Sequence, residues 1–253
     1  GSRQAIMFVE GTRGSLDTAL YRWLYPEFTV LPARTCDAVI HSVVTFNSQD
    51  RLHRYTACGL IDYDHRSDHQ IAWLRDRRVS ALPVSEAENL ILLPDVLYQI
   101  ALLLHFTPGE AKEKVDQITD EIFTLAKESR DAAALRKTKR RLDERLKSVS
   151  APANEASEFA AEFRLLLADI DPEKMIKEIA AEIDRAIGDG DLEFLLREID
   201  EKGLVSIAAK HLGFAKKGEL EDFLGRVLRS PDGDGLAGVM RARIPEQVPT
   251  EFP

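Results

Sequence analysis

Cysteine is scarce in this sequence: Cys36 and Cys58 are the only two among 253 residues. Two cysteines provide neither a disulfide framework nor a cysteine-rich zinc site. Their scarcity fits a protein of the reducing cytoplasm, which is the location we expect.

Long apolar runs are also missing. The most apolar stretch, "NLILLPDVLYQIALLLHF", is interrupted by Pro94, Asp95 and Gln99, and no secretory signal is evident. A buried helix explains this stretch better than a membrane span does, so we expect no membrane contact.

Positive charge is in short supply. The chain has 34 lysines and arginines against 43 acidic residues, which gives a formal net charge of −9. Such a chain is unsuited to indiscriminate phosphate binding, so any contact with nucleic acid has to be local or assisted by a metal ion or a partner. The one strongly basic run, "LRKTKRRLDERLK", predicts either a phosphate-binding helix or a solvated helix that packs through its leucines.

Several well-known site motifs are absent from the sequence. It contains no Gly-x-x-x-x-Gly-Lys-Ser/Thr motif, so ATP binding through a P-loop is not expected. His65 and His69 lie four residues apart, but the glutamate of a His-Glu-x-x-His motif and a third ligand are missing. No nucleophile elbow is present either.

The first ninety residues alternate between apolar runs and amphipathic segments. The runs "AIMFVE", "FTVLPA", "ACGLIDYD" and "VSALPV" predict strands, and the segments between them predict helices, the first of them capped by Ser15. Apolar strands that alternate with helices are typical of a parallel sheet covered on both faces. We therefore predict an α/β fold with a four-stranded parallel sheet.

Beyond Glu88 the pattern is helical throughout. Two of the predicted helices cover residues 108–128 and 130–148, and another begins at Pro172 with Asp171 as its cap. The predicted organisation is a sheet domain over residues 3–93, an all-helical domain over residues 94–245 and an extended tail over residues 246–253.

Carboxylates follow two of the predicted strands. Glu10 closes the first, and Asp62 and Asp64 close the third with a spacing that puts both side chains on the same face. Ligands of open parallel sheets collect at the carboxyl ends of the strands, so the three carboxylates converge if these strands are neighbours. Their mutual repulsion would be relieved by a divalent cation, and oxygen ligands suit Mg²⁺ or Mn²⁺. Gly11, which has no Cβ, would let a phosphate or the turning backbone come close.

Each of these acids also has an ordinary structural explanation. Acidic residues at strand ends are common as helix caps and as the first residues of solvated loops. Taken together, and at the ends of strands predicted to be adjacent, the acids favour the metal site.

The segments "FVEGTRGSLD" and "GLIDYD" resemble the Toprim domain, a catalytic module of topoisomerases, bacterial primases and nucleases of the overcoming-lysogenization-defect (OLD) type. The signature of that domain is a glutamate after the first strand and an Asp-x-Asp after the third. The similarity covers about residues 5–93. It implies a Toprim-like, Rossmannoid fold for this part, with Glu10 as general base or metal-linked acid and with Asp62 and Asp64 as ligands of Mg²⁺ or Mn²⁺.

Longer segments are similar to Toprim effectors that work with an ABC-type ATPase in phage defence. These segments are "GSLDTALYRWLYPEFTVLPA", "GLIDYDHR", "ALPVSEAENLILLPDVL" and "KGLVSIAAKHLGF". The resemblance implies a nucleic-acid substrate, either DNA or an RNA such as tRNA. It also implies an ATPase partner in cis or in trans, and we further expect a homodimer.

Two more acids are metal-ligand candidates. OLD-type nucleases usually carry a second acid four residues beyond the glutamate, but Gly14 occupies that position here and the nearest acid is Asp17. Asp17 either substitutes as a ligand or simply favours the positive end of its helix. Glu88 either joins the site or lies at the solvated start of a helix.

Two basic residues are candidates for contacts with phosphate. Lys202 lies where the narrower family has a lysine-glycine region, and a lysine there would steady a pentavalent phosphate. Arg66 follows the Asp-x-Asp closely and would bind a substrate phosphate. The alternatives are a surface lysine at a helix start and a surface ion pair.

These observations predict a metal-dependent nuclease, the effector of an ATPase-coupled antiphage system. The alternative is a catalytically silent Toprim scaffold that docks an ATPase or forms oligomers. Gly1 and Ser2 resemble a remnant of cloning, so we expect a domain taken from a larger ATPase fusion or a complete effector with a replaced start.

Overall fold

The computed structural model describes residues 5–49, 55–147, 156–199, 201 and 203–245. Its strands are β1 (Ala5–Val9), β2 (Phe28–Pro32), β3 (Ala57–Ile61) and β4 (Val79–Ala81). Its helices are α1 (Leu16–Leu24), α2 (Cys36–Asn47), α3 (Asp68–Arg75), α4 (Pro94–Leu103), α5 (Pro108–Lys147), α6 (Ala156–Ala168), α7 (Pro172–Asp189), α8 (Leu192–Glu198), α9 (Leu204–His211), α10 (Lys217–Val227) and α11 (Asp234–Arg243). Short 3₁₀ helices cover Ala87–Leu92 and Pro231–Gly233.

The four strands form one parallel sheet in the order β2-β1-β3-β4. In the register of β1, Val9 lies opposite Pro32 on one side and opposite Leu60 on the other. The predicted α/β fold, a four-stranded parallel sheet with a helical C-terminal region, is confirmed. Because β1 and β3 are neighbours, the residues that follow them lie at the same edge of the sheet.

The centre of the sheet packs tightly against α2. All five residues of β3 are buried. A Cβ atom on Gly59 would lie 2.8 Å from Val39 Cγ1 and 3.0 Å from Val43 Cγ2, so glycine allows helix and strand to approach closely. This packing fixes the position of β3 and therefore of the residues at its carboxyl end.

Side-chain caps set the starts of several helices. Ser15 accepts a hydrogen bond from the Thr18 amide at the start of α1, as predicted. Asp171 accepts one from the Lys174 amide at the start of α7, with Pro172 at the first helical position, also as predicted.

The predicted break between helices 108–128 and 130–148 is wrong, because α5 runs without interruption from Pro108 to Lys147. The sequence has neither proline nor glycine near the expected break. The Ser129 hydroxyl donates to the Leu125 carbonyl oxygen at 2.9 Å, so the serine is accommodated inside the helix. Although α5 has 40 residues, neither it nor another described helix is apolar enough along its length to cross a membrane.

The chain forms two compact units. The first contains the described residues of 1–122 and 200–253, which include the sheet and α9 to α11. Within it, α11 packs against α1 and α4, and Arg243 of α11 pairs with Asp95 of α4 at 2.8 Å. The division predicted from the sequence, 3–93 and 94–245, stays a prediction, and the tail 246–253 lies outside the described residues.

The second unit covers residues 123–199 and has a core of its own. Ile179, Ile183 and Leu195 are buried there among the alanines of α5. The expectation that the basic run packs through its leucines is wrong for Leu135 and Leu146, which are exposed. The run instead contributes a buried lysine to this unit.

Candidate metal centre

Glu10 and Asp62 meet at the carboxyl edge of the sheet. Glu10 directly follows β1 and Asp62 directly follows β3, and the two strands are paired in parallel. The Asp62 amide donates a hydrogen bond to Glu10 Oε1 at 3.2 Å. This bond orients the Glu10 carboxylate across the edge, toward the backbone of the neighbouring strand.

Gly11 makes the turn that follows Glu10. Its φ of +103° lies in a region that favours glycine, and a Cβ atom there would lie 2.5 Å from Ser15 Oγ. Gly11 and Arg34 also form an isolated backbone bridge, in which the Arg34 amide donates to the Gly11 carbonyl oxygen at 3.0 Å. Gly11 therefore serves the turning backbone, and its predicted contact with a phosphate stays a prediction.

Asp62 has a strongly perturbed carboxyl group at this edge. Its Oδ1 accepts a hydrogen bond from the Ala87 amide at 3.2 Å, which holds the side chain in place. Burial raises the pKa of Asp62 to about 8, and four nearby carboxylates add to the increase: Glu10, Asp17, Asp64 and Glu86. Without a counter-charge this group is mostly protonated at neutral pH, and a bound cation would favour the carboxylate form.

Asp17 takes part in the same electrostatic cluster. It lies in the first turn of α1, where an acid also suits the helix dipole. Burial raises the pKa of Asp17, the Glu88 carboxylate raises it further, and Lys217 opposes the increase. Burial, followed by the charges of Asp62, Asp17 and Glu10, also raises the pKa of Tyr21, one turn further along α1, well above its usual range.

The turn after β3 brings a third carboxylate close to Glu10. Asp64 and His65 have φ values of +54° and +53°, a left-handed conformation that is uncommon for residues other than glycine. Glu10, Cys36 and Asp64 each offer one ligand atom, and these three atoms all lie within 4.8 Å of one another. The proximity of Cys36, the first residue of α2, was not predicted from the sequence.

Arg66 lies in the interior of this turn. Its Nη2 pairs with Asp64 Oδ2 at 3.4 Å, and its side chain is only 11% exposed. Of the two explanations that the sequence left open, the structure contains an ion pair, although it is largely buried. The Arg66 Nε atom is buried without a hydrogen-bond partner among the described residues.

Glu88 lies in the 3₁₀ helix Ala87–Leu92 and is paired with a lysine from a distant part of the chain. Lys217, the first residue of α10, contacts the Glu88 carboxylate and lies 3.4 Å from Glu221 Oε1. Glu88 and Lys217 line a cavity of about 290 Å³ together with Glu86 and Glu201. Lys202, the lysine selected from the sequence, lies outside the described residues.

The donor set fits a divalent cation. Glu10 and Asp64 would supply carboxylate oxygens, whereas Asp62, the third predicted ligand, is not part of the group of converging ligand atoms and is linked to Glu10 through its backbone amide. Glu10 and Asp17 both act on the Asp62 carboxyl group electrostatically. Carboxylates suit Mg²⁺ and Mn²⁺, whereas the Cys36 sulfur adds a softer donor that Mg²⁺ does not favour. The set is compatible with several divalent ions and does not identify one.

The chain matches no model of a known protein family. No curated protein and no solved structure is significantly similar to it. The function of this chain is therefore inferred from the residues and geometry of the candidate metal centre and from the resemblance in its sequence.

Proposed function

We propose that this chain is a divalent-cation-dependent nuclease that cleaves phosphodiester bonds in DNA or RNA. The observation that carries the proposal is the group of carboxylates at the carboxyl edge of β1 and β3. Glu10 is hydrogen-bonded to the Asp62 amide, Asp64 lies near Glu10, and burial among acids raises the pKa of Asp62 to about 8. A single acid whose pKa is raised this far by burial and by neighbouring charges is typical of a functional site.

Glu10, Asp62 and Asp64 are the residues that would hold the cation. When bound, a divalent cation polarises a phosphodiester and makes a water molecule more acidic. Glu10 is fixed by its hydrogen bond to the Asp62 amide and is the candidate to take the proton of the attacking water. The Ala87 amide fixes Asp62 in the same way, so neither carboxylate has to reorganise when substrate arrives.

The biological setting comes from the sequence resemblance alone. We propose a cytoplasmic effector controlled by an ABC-type ATPase in an antiphage system, with DNA or an RNA such as tRNA as substrate, acting as a homodimer. Lys202 as a contact for the transition state and Arg66 as a phosphate contact belong to the same proposal.

A catalytically silent scaffold is the second candidate function. Two observations favour it: Gly14 stands where OLD-type nucleases usually carry an acid, and Lys217 is paired with Glu88. A scaffold that docks an ATPase or forms oligomers has no need to hold a cation between Glu10 and Asp62. Cation binding therefore separates the two candidates.

The nuclease is tested by incubating the purified chain with plasmid DNA and with tRNA in the presence of Mn²⁺, Mg²⁺ or EDTA. We expect cutting that requires a cation and that falls by about 10²–10⁴-fold in Glu10→Gln, because the candidate general base is lost. Glu27→Gln, which makes the same charge change at an exposed position, is the control and is expected to cut like the wild type.

Two results would count against the nuclease. Cutting that persists in EDTA, or that Glu10→Gln retains in full, would show that the activity does not depend on this centre. If the wild type neither cuts nor binds Mn²⁺, the scaffold becomes the better explanation.

A further inference from the structure

A groove of about 760 Å³ lies beside the carboxylate cluster, at the carboxyl ends of β1 and β2. Gly11, which directly follows Glu10, lines this groove, as does Arg34, its partner in the backbone bridge. Cys36, two residues beyond Arg34, is one of the three residues whose ligand atoms converge near Glu10. The backbone bridge between Gly11 and Arg34 therefore lies between the groove and the candidate metal centre.

Three arginines converge on this groove from separate parts of the first unit. Arg13 comes from the turn after β1, Arg22 from the last turn of α1 and Arg34 from the loop after β2. All three are exposed, and within the described residues none of them forms an ion pair with a carboxylate. A concentration of unpaired positive charge on a chain with a net charge of −9 favours a negatively charged ligand.

The rest of the groove is apolar. Leu31 is 38% exposed there, and Phe8 and Pro32 also line it. Guanidinium groups bind phosphate oxygens through two parallel hydrogen bonds, while apolar surface accommodates sugars and base faces. A groove of this volume is in the range that buries a ligand of drug size, so a segment of about two nucleotides fits.

We infer that Arg13, Arg22 and Arg34 bind successive phosphates of one strand of the nucleic-acid substrate and lead that strand past Gly11 to the carboxylates. This inference rests on the proposed function and extends it, since it assigns the path of the substrate. It also explains how an acidic chain engages nucleic acid: the contact is local and lies next to the acids that would otherwise repel the strand.

The test is the salt dependence of binding to a fluorescein-labelled oligonucleotide of about 20 nucleotides, as DNA and as RNA, measured by anisotropy in EDTA. EDTA keeps cleavage and cation bridging out of the measurement. The variant is Arg13→Gln/Arg22→Gln/Arg34→Gln. Each phosphate contact with a single strand contributes about 0.7 to the slope of log K against log salt, so the loss of three contacts should reduce that slope by about 2 and the affinity at moderate salt by tenfold or more.

A matched control makes the same change in net charge elsewhere. Arg164, Arg185 and Arg226 are exposed helical arginines, and Arg164→Gln/Arg185→Gln/Arg226→Gln should keep both the slope and the affinity of the wild type. The inference is overturned if the groove variant keeps the wild-type slope or if the control variant loses as much. Displacement of the strand by micromolar ATP would also overturn it, because the groove would then be a site for free nucleotides.

Failure of this inference can be told apart from failure of the nuclease. If the groove variant binds the oligonucleotide like the wild type and the wild type cuts with Mn²⁺, the inference about the groove is wrong and the nuclease proposal is unaffected. If the wild type never cuts but the groove variant binds the oligonucleotide more weakly than the wild type does, the groove is a nucleic-acid binding surface and the proposed nuclease activity is wrong.

Discussion

Asp62→Asn is expected to make the cation-free protein more stable above neutral pH, although it removes a ligand of the proposed cation. The folded-state pKa of Asp62, about 8, lies above the ordinary value of 3.8. The folded protein therefore keeps a proton that the unfolded chain releases. The contribution of the Asp62 carboxyl group to the unfolding free energy is fully present below about pH 4 and is lost as the pH rises to about 8.

The size of this effect depends on the shift in pKa. One pKa unit corresponds to about 1.4 kcal/mol, and water that enters the site when Asp62 ionises reduces the full value. We expect the unfolding free energy of the wild type to fall by about 2–4 kcal/mol more than that of Asp62→Asn between pH 4 and pH 8.5. A saturating cation reverses the order, because it stabilises only the protein that binds it.

Urea unfolding followed by tryptophan fluorescence measures this difference. Both tryptophans, Trp23 and Trp73, belong to the first unit, so the signal reports on the unit that contains the cluster. Asp222→Asn, at an exposed position of α10, is the matched control and should follow the wild type at every pH. If the unfolding free energy of Asp62→Asn in EDTA depended on pH as strongly as that of the wild type, burial and the neighbouring acids would not raise the pKa of Asp62.

Glu198→Gln is expected to lower the unfolding free energy of the second unit by about 3–5 kcal/mol, because it removes the nearest and only buried counter-charge that is described for a buried lysine. Lys137 Nζ lies 2.7 Å from Glu198 Oε2, and the two side chains are 5% and 4% exposed. The desolvation of Lys137 is offset by this carboxylate, while its second acidic neighbour, Glu182, lies farther away at 3.5 Å.

Glu182→Gln is the matched control for this pair. Glu182 approaches the same lysine, but its side chain is 40% exposed, so its removal should cost less than about 1 kcal/mol. The second unit contains neither tryptophan, so hydrogen exchange of the α8 amides is the appropriate measurement. If Glu182→Gln and Glu198→Gln lowered the unfolding free energy of the second unit equally, the argument from burial would be contradicted. A double variant Lys137→Met/Glu198→Leu that recovers the unfolding free energy lost in Glu198→Gln would support it.

The part of the site that the sequence predicted depends on local pattern. Apolar runs that alternate with amphipathic segments identify the strands, and a run that stops on an acid places that acid at the strand end. Glu10 and Asp62 are therefore recognisable from residues 5–10 and 57–64 alone. Their hydrogen bond becomes possible once β1 and β3 are paired, which the strand order provides.

The residues that the sequence did not reveal are brought in by tertiary contacts. Lys217 reaches Glu88 across 129 positions of the chain, and nothing in "AKKGELEDF" distinguishes it from an ordinary helix start. Cys36 begins α2 and comes near Glu10 only because the loop after β2 bridges to Gly11. The three groove arginines are likewise dispersed in the sequence and converge only in the folded unit.

The continuous α5 shows that helix boundaries were harder to predict from the sequence than strands were. The predicted helices 108–128 and 130–148 were separated at Ser129, but a helix needs only the absence of a strong breaker to continue. Boundaries that depend on such weak preferences are decided by packing, whereas the strands were marked by strong apolar runs and turns.

The most direct test of the central claim, that the carboxylates at the ends of β1 and β3 hold a divalent cation, is a titration with Mn²⁺ followed by electron paramagnetic resonance. Wild type, Glu10→Gln and the surface control Glu27→Gln are compared. We predict saturable Mn²⁺ binding to the wild type and to Glu27→Gln, and an affinity at least about tenfold weaker in Glu10→Gln. Equal Mn²⁺ affinity in all three proteins, or no binding by the wild type, would contradict the claim.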